Sequence, residues 1–159
     1  MNDEYFMRQA IALAKEAAEE GEVPVGAVVV FDGKIVGKGR NRREISKNAL
    51  AHAEIEAINE ACRALGGWRL WQCDIYVTLE PCPMCTGAII NSRIKRLVYG
   101  ASDYKAGSCG SVIDLFSLPY NHKPEVAKEV LQEECAALLS DFFKKLRKNY
   151  SCQNSSFHV

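Results

Sequence analysis

Two short stretches decide how this chain folds: Ala51-His52-Ala53-Glu54 and Pro81-Cys82-Pro83-Met84-Cys85. Between them they carry an imidazole, two thiols and a carboxylate. The first three are good zinc ligands, and the fourth is a good proton carrier. Cys82 and Cys85 are three positions apart, a spacing that puts both sulfurs on one side of a helix. Pro83 fits a first helical turn, where its missing N–H costs nothing. Both thiols are therefore expected at a helix N-terminus, where the dipole and the unpaired N–H groups favour thiolate. His52 would complete a set of three. Structural zinc normally has four protein ligands, whereas catalytic zinc keeps a position for water. Three ligands and a carboxylate thus read as a zinc site that activates water, with Glu54 moving protons. His52 and Glu54 do not share a face of a regular helix, so His52 is expected at the irregular start of its helix. On spacing alone, two plainer readings stand beside this one. A CxxC pair can be a redox pair, and a lone His on an apolar helix can be a packed residue.

The segments around these stretches alternate between strand and helix. Ile75 to Leu79 reads as a short apolar strand that delivers the chain into Glu80-Pro81-Cys82, and Cys82 to about Ser92 as a helix. His52 to Leu65 reads as a helix with Ile55, Ile58 and Cys62 facing inward, stopped by Gly66-Gly67. Upstream, Val25 to Phe31 and Lys34 to about Arg40 form a hairpin across Asp32-Gly33. Gly37 and Gly39 weaken the second strand and let something approach its backbone closely. Asp3 to Glu20 carries a helical stripe of Phe6, Ala10, Leu13, Ala14 and Ala17. Downstream come a strand over Ile94 to Gly100, a last strand over Glu125 to Lys128, and a long helix over Glu129 to Lys148. That helix is expected to face inward with Val130, Cys135, Leu138, Leu139, Phe142 and Leu146. This order predicts an α/β fold, a central sheet covered by helices with the site at its strand ends. One domain spans 1–159, and residues 151–159, with His158, read as a mobile polar tail.

The connecting segments offer further candidates. Arg40 to Asn48 is basic, with Arg40, Arg42 and Arg43; a solvated loop is favoured there over a rim that touches phosphates. Ala101 to Pro124 is irregular and fits a substrate rim, with Asp103, Lys105 and Asp114 as its polar groups. His122 has no ligand-like spacing and is expected to make an ordinary hydrogen bond. The basic end of the last helix, Lys144 to Lys148, already suits a helix C-terminus and is weak evidence for RNA.

Composition narrows the classes. The chain has 159 residues, 48% apolar and 25% charged, which is ordinary for a globular protein. Twenty basic residues balance twenty acidic ones, so binding to nucleic acid by overall charge is not expected and any such site must be a local patch. Seven cysteines, an odd number without a secretion signal, argue against a disulfide framework. No long apolar run marks a membrane span, and the acidic N-terminus lacks a signal core. The expected location is the cytoplasm, with no membrane partner and no organic cofactor.

The pattern H-x-E…P-C-x-x-C is the known signature of the zinc deaminases. Here it reads His52, Glu54, Pro81, Cys82 and Cys85, with the shared segments Glu22 to Val28, Val77 to Cys85, Ser92-Arg93-Ile94, Asn121-His122 and Cys135 to Phe143. Over Tyr5 to Arg147 the chain closely resembles the bacterial tRNA-specific adenosine deaminases of the cytidine deaminase-like superfamily. That resemblance implies a three-layer α/β/α sandwich around a five-stranded mixed sheet and a homodimer. It also implies hydrolytic deamination of adenosine to inosine at the wobble position of a tRNA anticodon stem-loop. It makes His52, Cys82 and Cys85 the ligands of one Zn2+ per chain and Glu54 the catalytic proton shuttle. It places Asn41 on the flipped base, Asp103 by the neighbouring nucleotide, and Phe143 against the RNA loop. Arg43 and Asn48-Ala49-Leu50 depart from many relatives and bear on RNA contacts, not on the metal. Two other readings compete: a deaminase of a free base or nucleotide of guanine or cytosine type, and a non-catalytic, zinc-stabilised RNA-binding module. The last needs a fourth ligand, for which Cys109 is the candidate.

Overall fold

The computed structural model describes residues 2–155. Its elements in chain order are α1 (Asp3–Glu19), β1 (Gly26–Phe31), β2 (Lys34–Arg40), α2 (Arg43–Ser46), α3 (Ala53–Leu65), β3 (Cys73–Leu79), α4 (Pro83–Asn91), β4 (Arg96–Ala101), β5 (Glu125–Ala127) and α5 (Gln132–Ser155). A single 3-10 turn, Leu115–Ser117, interrupts the loop before β5. The five strands form one mixed sheet in the order β2-β1-β3-β4-β5. β1 is antiparallel to β2 and β3, whereas β3, β4 and β5 are parallel.

Two-residue alternation sorts the strands' side chains onto two buried faces. Ala27, Val29, Ile75, Val77, Leu97 and Tyr99 pack against α3 and α4, while Val28, Val30, Tyr76 and Val98 pack against α1 and α5. The result is the α/β/α sandwich. The β1–β2 turn has φ of +49° at Asp32 and +73° at Gly33, the left-handed pair that a tight hairpin uses. Asn2 caps α1 by accepting from the Tyr5 N–H at 3.1 Å.

The glycines expected to allow close approach do so against a helix. A Cβ on Gly37 would lie 2.1 Å from the Ala57 carbonyl oxygen, and one on Gly39 would lie 2.1 Å from that of Ala53. Helix α3 is therefore seated directly on the β2 backbone.

The C-terminal helix differs from its expected bounds. It starts at Gln132 rather than near Glu129, because Glu129 and Leu131 sit at φ of +65° and +52°, outside the helical region. Val130 therefore precedes the helix. Leu146 is exposed, not inward-facing. A helix of 24 residues is about 36 Å long, against about 20 Å for the six residues of β4, so it overruns the sheet. Residues 151–155, assigned to the tail by sequence, are helical; the remainder of that expected tail, with His158, lies outside the described residues. His122 donates from Nε2 to the Ile94 carbonyl oxygen at 2.7 Å, an ordinary hydrogen bond. Among the described residues, no helix is long and apolar enough to cross a membrane.

Candidate active site

Two helix N-termini meet where β3 ends. His52 is the N-cap of α3, in extended conformation (φ −84°, ψ 153°), and Glu54 stands in the first turn. That break at the cap lets two residues of non-helical spacing turn toward one point. Cys82 is the N-cap of α4, Pro83 follows at the first helical position, and Cys85 lies in the first turn. The helix thus begins one residue later than expected, with one sulfur on the cap and one inside.

His52 Nδ1 lies 3.7 Å from Cys82 Sγ and 3.5 Å from Cys85 Sγ. A tetrahedral zinc with N and S ligands at ordinary bond lengths holds such atoms about 3.6 Å apart. The donor set fits that ion in both chemistry and spacing. Among the described residues this is the one group of three or more candidate ligands, its ligand atoms all within 4.8 Å of one another. Cys109 does not join it. Its Sγ lies 3.4 Å from Thr86 Oγ1, and among the described residues no fourth protein ligand joins the group.

The same atoms perturb one another's protonation. Hydrogen bonding from Cys85, helped by His52, holds the Cys82 thiol down to about 4, and that thiolate in turn pushes Cys85 upward. Contact with Cys82 raises His52. Glu54 is 4% exposed, and burial is the main cause of its raised affinity for a proton; the Cys82 thiolate adds to it. An acid held ready to take and return a proton is thus set beside a ready-made cation site.

His52, Glu54 and Cys82 line a cavity of about 470 Å³, within the range of ligand pockets. Asn41, Asp103 and Phe143 all line it, as do Arg43, Tyr104 and Lys105. Asn41 is buried and oriented. Its Nδ2 donates to the Val23 carbonyl oxygen at 3.2 Å and its Oδ1 accepts from the Arg43 N–H at 3.2 Å, leaving one N–H and one lone pair for a ligand. Asp103 uses Oδ1 to accept from the Lys105 and Ala106 N–H groups. Phe143 is 40% exposed and meets Phe142 edge-on. Of the three arginines in the basic segment, Arg40 is bound by Glu16 and Glu20 and Arg42 by Glu56, so only Arg43 faces the cavity.

The family model described as MafB19-like deaminase matches residues 1–147. The chain belongs to this deaminase family. The tRNA-specific adenosine deaminase of Bacillus subtilis (strain 168) is 50% identical over 147 residues, covering 92% of this chain and 91% of that protein. A solved structure from work on A-to-I editing by tRNA:A34 deaminases at the wobble position of transfer RNA superposes with a TM-score of 0.83. It is 46% identical and covers 85% of this chain and 99% of its own. The guanine deaminase from Bacillus subtilis superposes with a TM-score of 0.63 at 42% identity, over 74% of each chain.

Two residues of the deaminase escaped the sequence reading. Glu22 and Glu80, 1% and 2% exposed, are acids that hold the two cavity rims. Glu22 accepts from the Glu44 and Ile45 N–H groups at 3.0 Å each and so fixes α2, which lies within the segment expected to be plain loop. Glu80 accepts from the loop after β4. The signal for Glu80 was an acid set between an apolar strand and Pro81; nothing local marked Glu22.

Proposed function

We propose that this deaminase converts adenosine to inosine at the wobble position of a tRNA anticodon, using one zinc ion per chain. The carrying observation is a buried acid beside a His/Cys/Cys group at the floor of a cavity whose rim is aromatic and basic, with Arg43, Tyr104, Lys105 and Phe143. The names of the relatives agree with that reading.

His52 Nδ1 and the sulfurs of Cys82 and Cys85 would hold the ion. When bound there, zinc supplies a Lewis acid that brings the pKa of water toward neutrality. Glu54 takes a proton from the attacking water and returns protons to the ring nitrogen and to the amine leaving C6. Water is consumed, and ammonia and inosine are released. The raised proton affinity of Glu54 serves the second half of that cycle, and its carboxylate form serves the first. Asn41 offers its remaining N–H and lone pair to the base edge. Asp103, through Oδ2, faces the neighbouring nucleotide, and Phe143 stacks on the RNA loop. A base in an anticodon loop leaves its stack more easily than one in a duplex, and the aromatic rim offers a replacement surface. The same reading makes the protein a cytoplasmic homodimer.

The test is incubation of the metal-loaded protein with an anticodon stem-loop carrying adenosine at the first anticodon position. Sequencing is expected to show A-to-G conversion, with matching ammonia release. The similarity to a guanine deaminase favours one rival, action on free bases. Ammonia from free guanine or cytosine without conversion of the stem-loop would establish that rival. Bound metal with no ammonia from any substrate would establish a structural zinc module.

A further inference from the structure

The wall of the cavity that carries Asp103 hangs on one side chain to which the reaction assigns no step. Glu80 follows β3 and precedes Pro81-Cys82. Its Oε1 accepts from the Asp103 N–H at 3.2 Å and from the Ser111 hydroxyl at 2.5 Å. Its Oε2 accepts from the Cys109 and Ser111 N–H groups at 3.1 Å each. Those donors span the loop that brings Asp103, Tyr104 and Lys105 to the cavity. The packing is close: a Cβ on Gly107 would lie 2.4 Å from the Glu80 carboxyl carbon. Backbone bonds reinforce the join, Glu80 N–H to the Ala101 oxygen at 2.8 Å and Ser108 N–H to the Pro81 oxygen at 2.9 Å.

Burying a carboxylate without a cation is costly unless hydrogen bonds replace its water. No ion pair to Glu80 is present among the described residues, and four donors do replace that water. The arrangement fastens the substrate-side loop to the residue two positions before Cys82. A neutral hydrophobe could fill the same volume but could not fix the loop's register.

We propose that Glu80 is a positioning residue that ties the Asp103 wall rigidly to the cysteine-bearing segment, so that nucleotides flanking the target meet a preorganised surface. This rests on the tRNA reading above. It predicts a particular failure for Glu80→Gln. The amide oxygen can still serve the Cys109 and Ser111 N–H groups, and the Ser111 hydroxyl can turn to accept from the new NH2. Only the Asp103 N–H is left facing a donor.

The experiment combines steady-state deamination of the anticodon stem-loop, metal analysis and hydrogen exchange over residues 102–112. Glu80→Gln is expected to keep its metal, to raise KM about tenfold while kcat stays within about threefold, and to speed exchange at Asp103 to Ala106. Ser111→Ala removes a donor but leaves the Asp103 bond. It is expected to lower the melting temperature while KM stays within about twofold of the unmodified protein. Glu80→Asp withdraws the carboxylate by one methylene and is expected to repeat the KM effect, which covers the case in which the amide variant does not fold. The proposal fails if Glu80→Gln leaves KM unchanged, if kcat and metal content fall together, or if Ser111→Ala behaves like Glu80→Gln. If the unmodified protein leaves the stem-loop unconverted, the tRNA reading fails. The exchange comparison of Glu80→Gln with Ser111→Ala then still decides whether Glu80 holds the wall.

Discussion

The seating of α3 on β2 makes Gly39→Ala the sharpest probe of how the fold sets the site. A Cβ at Gly39 would stand 2.1 Å from the Ala53 oxygen, 2.8 Å from the Ala57 nitrogen and 2.9 Å from Glu56 Cβ. A tolerable carbon–oxygen contact is about 3.3 Å, so about 1.2 Å must be found by moving backbone. The displaced group is the carbonyl of Ala53, which lies between His52 and Glu54. A misplacement of about 1 Å can cost about 10²-fold in rate. We therefore expect Gly39→Ala to lower kcat/KM by about 10²-fold and to destabilise the fold by about 1–3 kcal/mol, as overpacking does. Gly37→Ala is the control. Its Cβ would overlap the Ala57 oxygen equally, at 2.1 Å, but one turn further along α3. It should cost similar stability and much less activity. The assays are stem-loop conversion, metal content and thermal melting for both variants. A Gly39→Ala variant that melts early but converts substrate at the unmodified rate would show that α3 does not transmit the overlap to the site. β2 is the sheet's edge strand and would then have yielded in place of the helix.

Glu54→Gln should keep the metal and lose about 10²-fold or more of turnover. Because burial raises the folded carboxyl's proton affinity, that group stabilises the metal-free fold below its unfolded range, and the gain is lost as pH rises through the folded value. The metal-free glutamine variant should thus outlast its metal-free parent in melting scans by a margin that grows as pH rises above the ordinary carboxylate range. Asp3 presents the opposite sign. Arg96 grips it at 2.8 and 2.6 Å and Tyr76 donates to it at 2.7 Å, and the Arg96 bond is the main cause of its lowered pKa. Its contribution is present above the unfolded value and lost as pH falls through the folded one. Asp3→Asn should cost about 2 kcal/mol in denaturant titrations at neutral pH, with the gap closing below about pH 4.

A central sheet covered by helices was legible from local signals that agreed with one another, and its three-layer form from the family resemblance. Asp32-Gly33 specified a tight hairpin, the stripes of α1 and α3 specified one buried face each, and strands buried on both sides needed only to be apolar. The left-handed turns at Glu129 and Leu131 were not legible, since neither residue favours positive φ; they stand where the chain passes from β5 into α5, which packs on β4. The meeting of His52 with Cys82 and Cys85 was legible as a ligand set, but its geometry rests on two caps that spacing alone does not describe. The rims were least legible. Glu22 reaches 22 positions forward to Glu44, and Glu80 reaches 31 to Ser111, and no periodicity records such pairings.

The three buried glutamates separate scaffold from chemistry. Glu22 and Glu80 each accept from N–H groups of a distant segment and so fasten that segment in place. Glu54 is buried to a similar degree, but its neighbours are its own N–H, the Cys82 and Cys85 sulfurs and His52, and burial outweighs them. A carboxyl group engaged in that way serves as an anchor. One that is desolvated and under-bonded holds its proton loosely enough to exchange it and tightly enough to deliver it. Burial alone would have ranked the three together. What distinguishes Glu54 is that its neighbours are the His52, Cys82 and Cys85 group and not the backbone N–H groups of a rim, and on the proposed reaction that setting makes it the group among the three placed to carry a proton between water and a leaving amine.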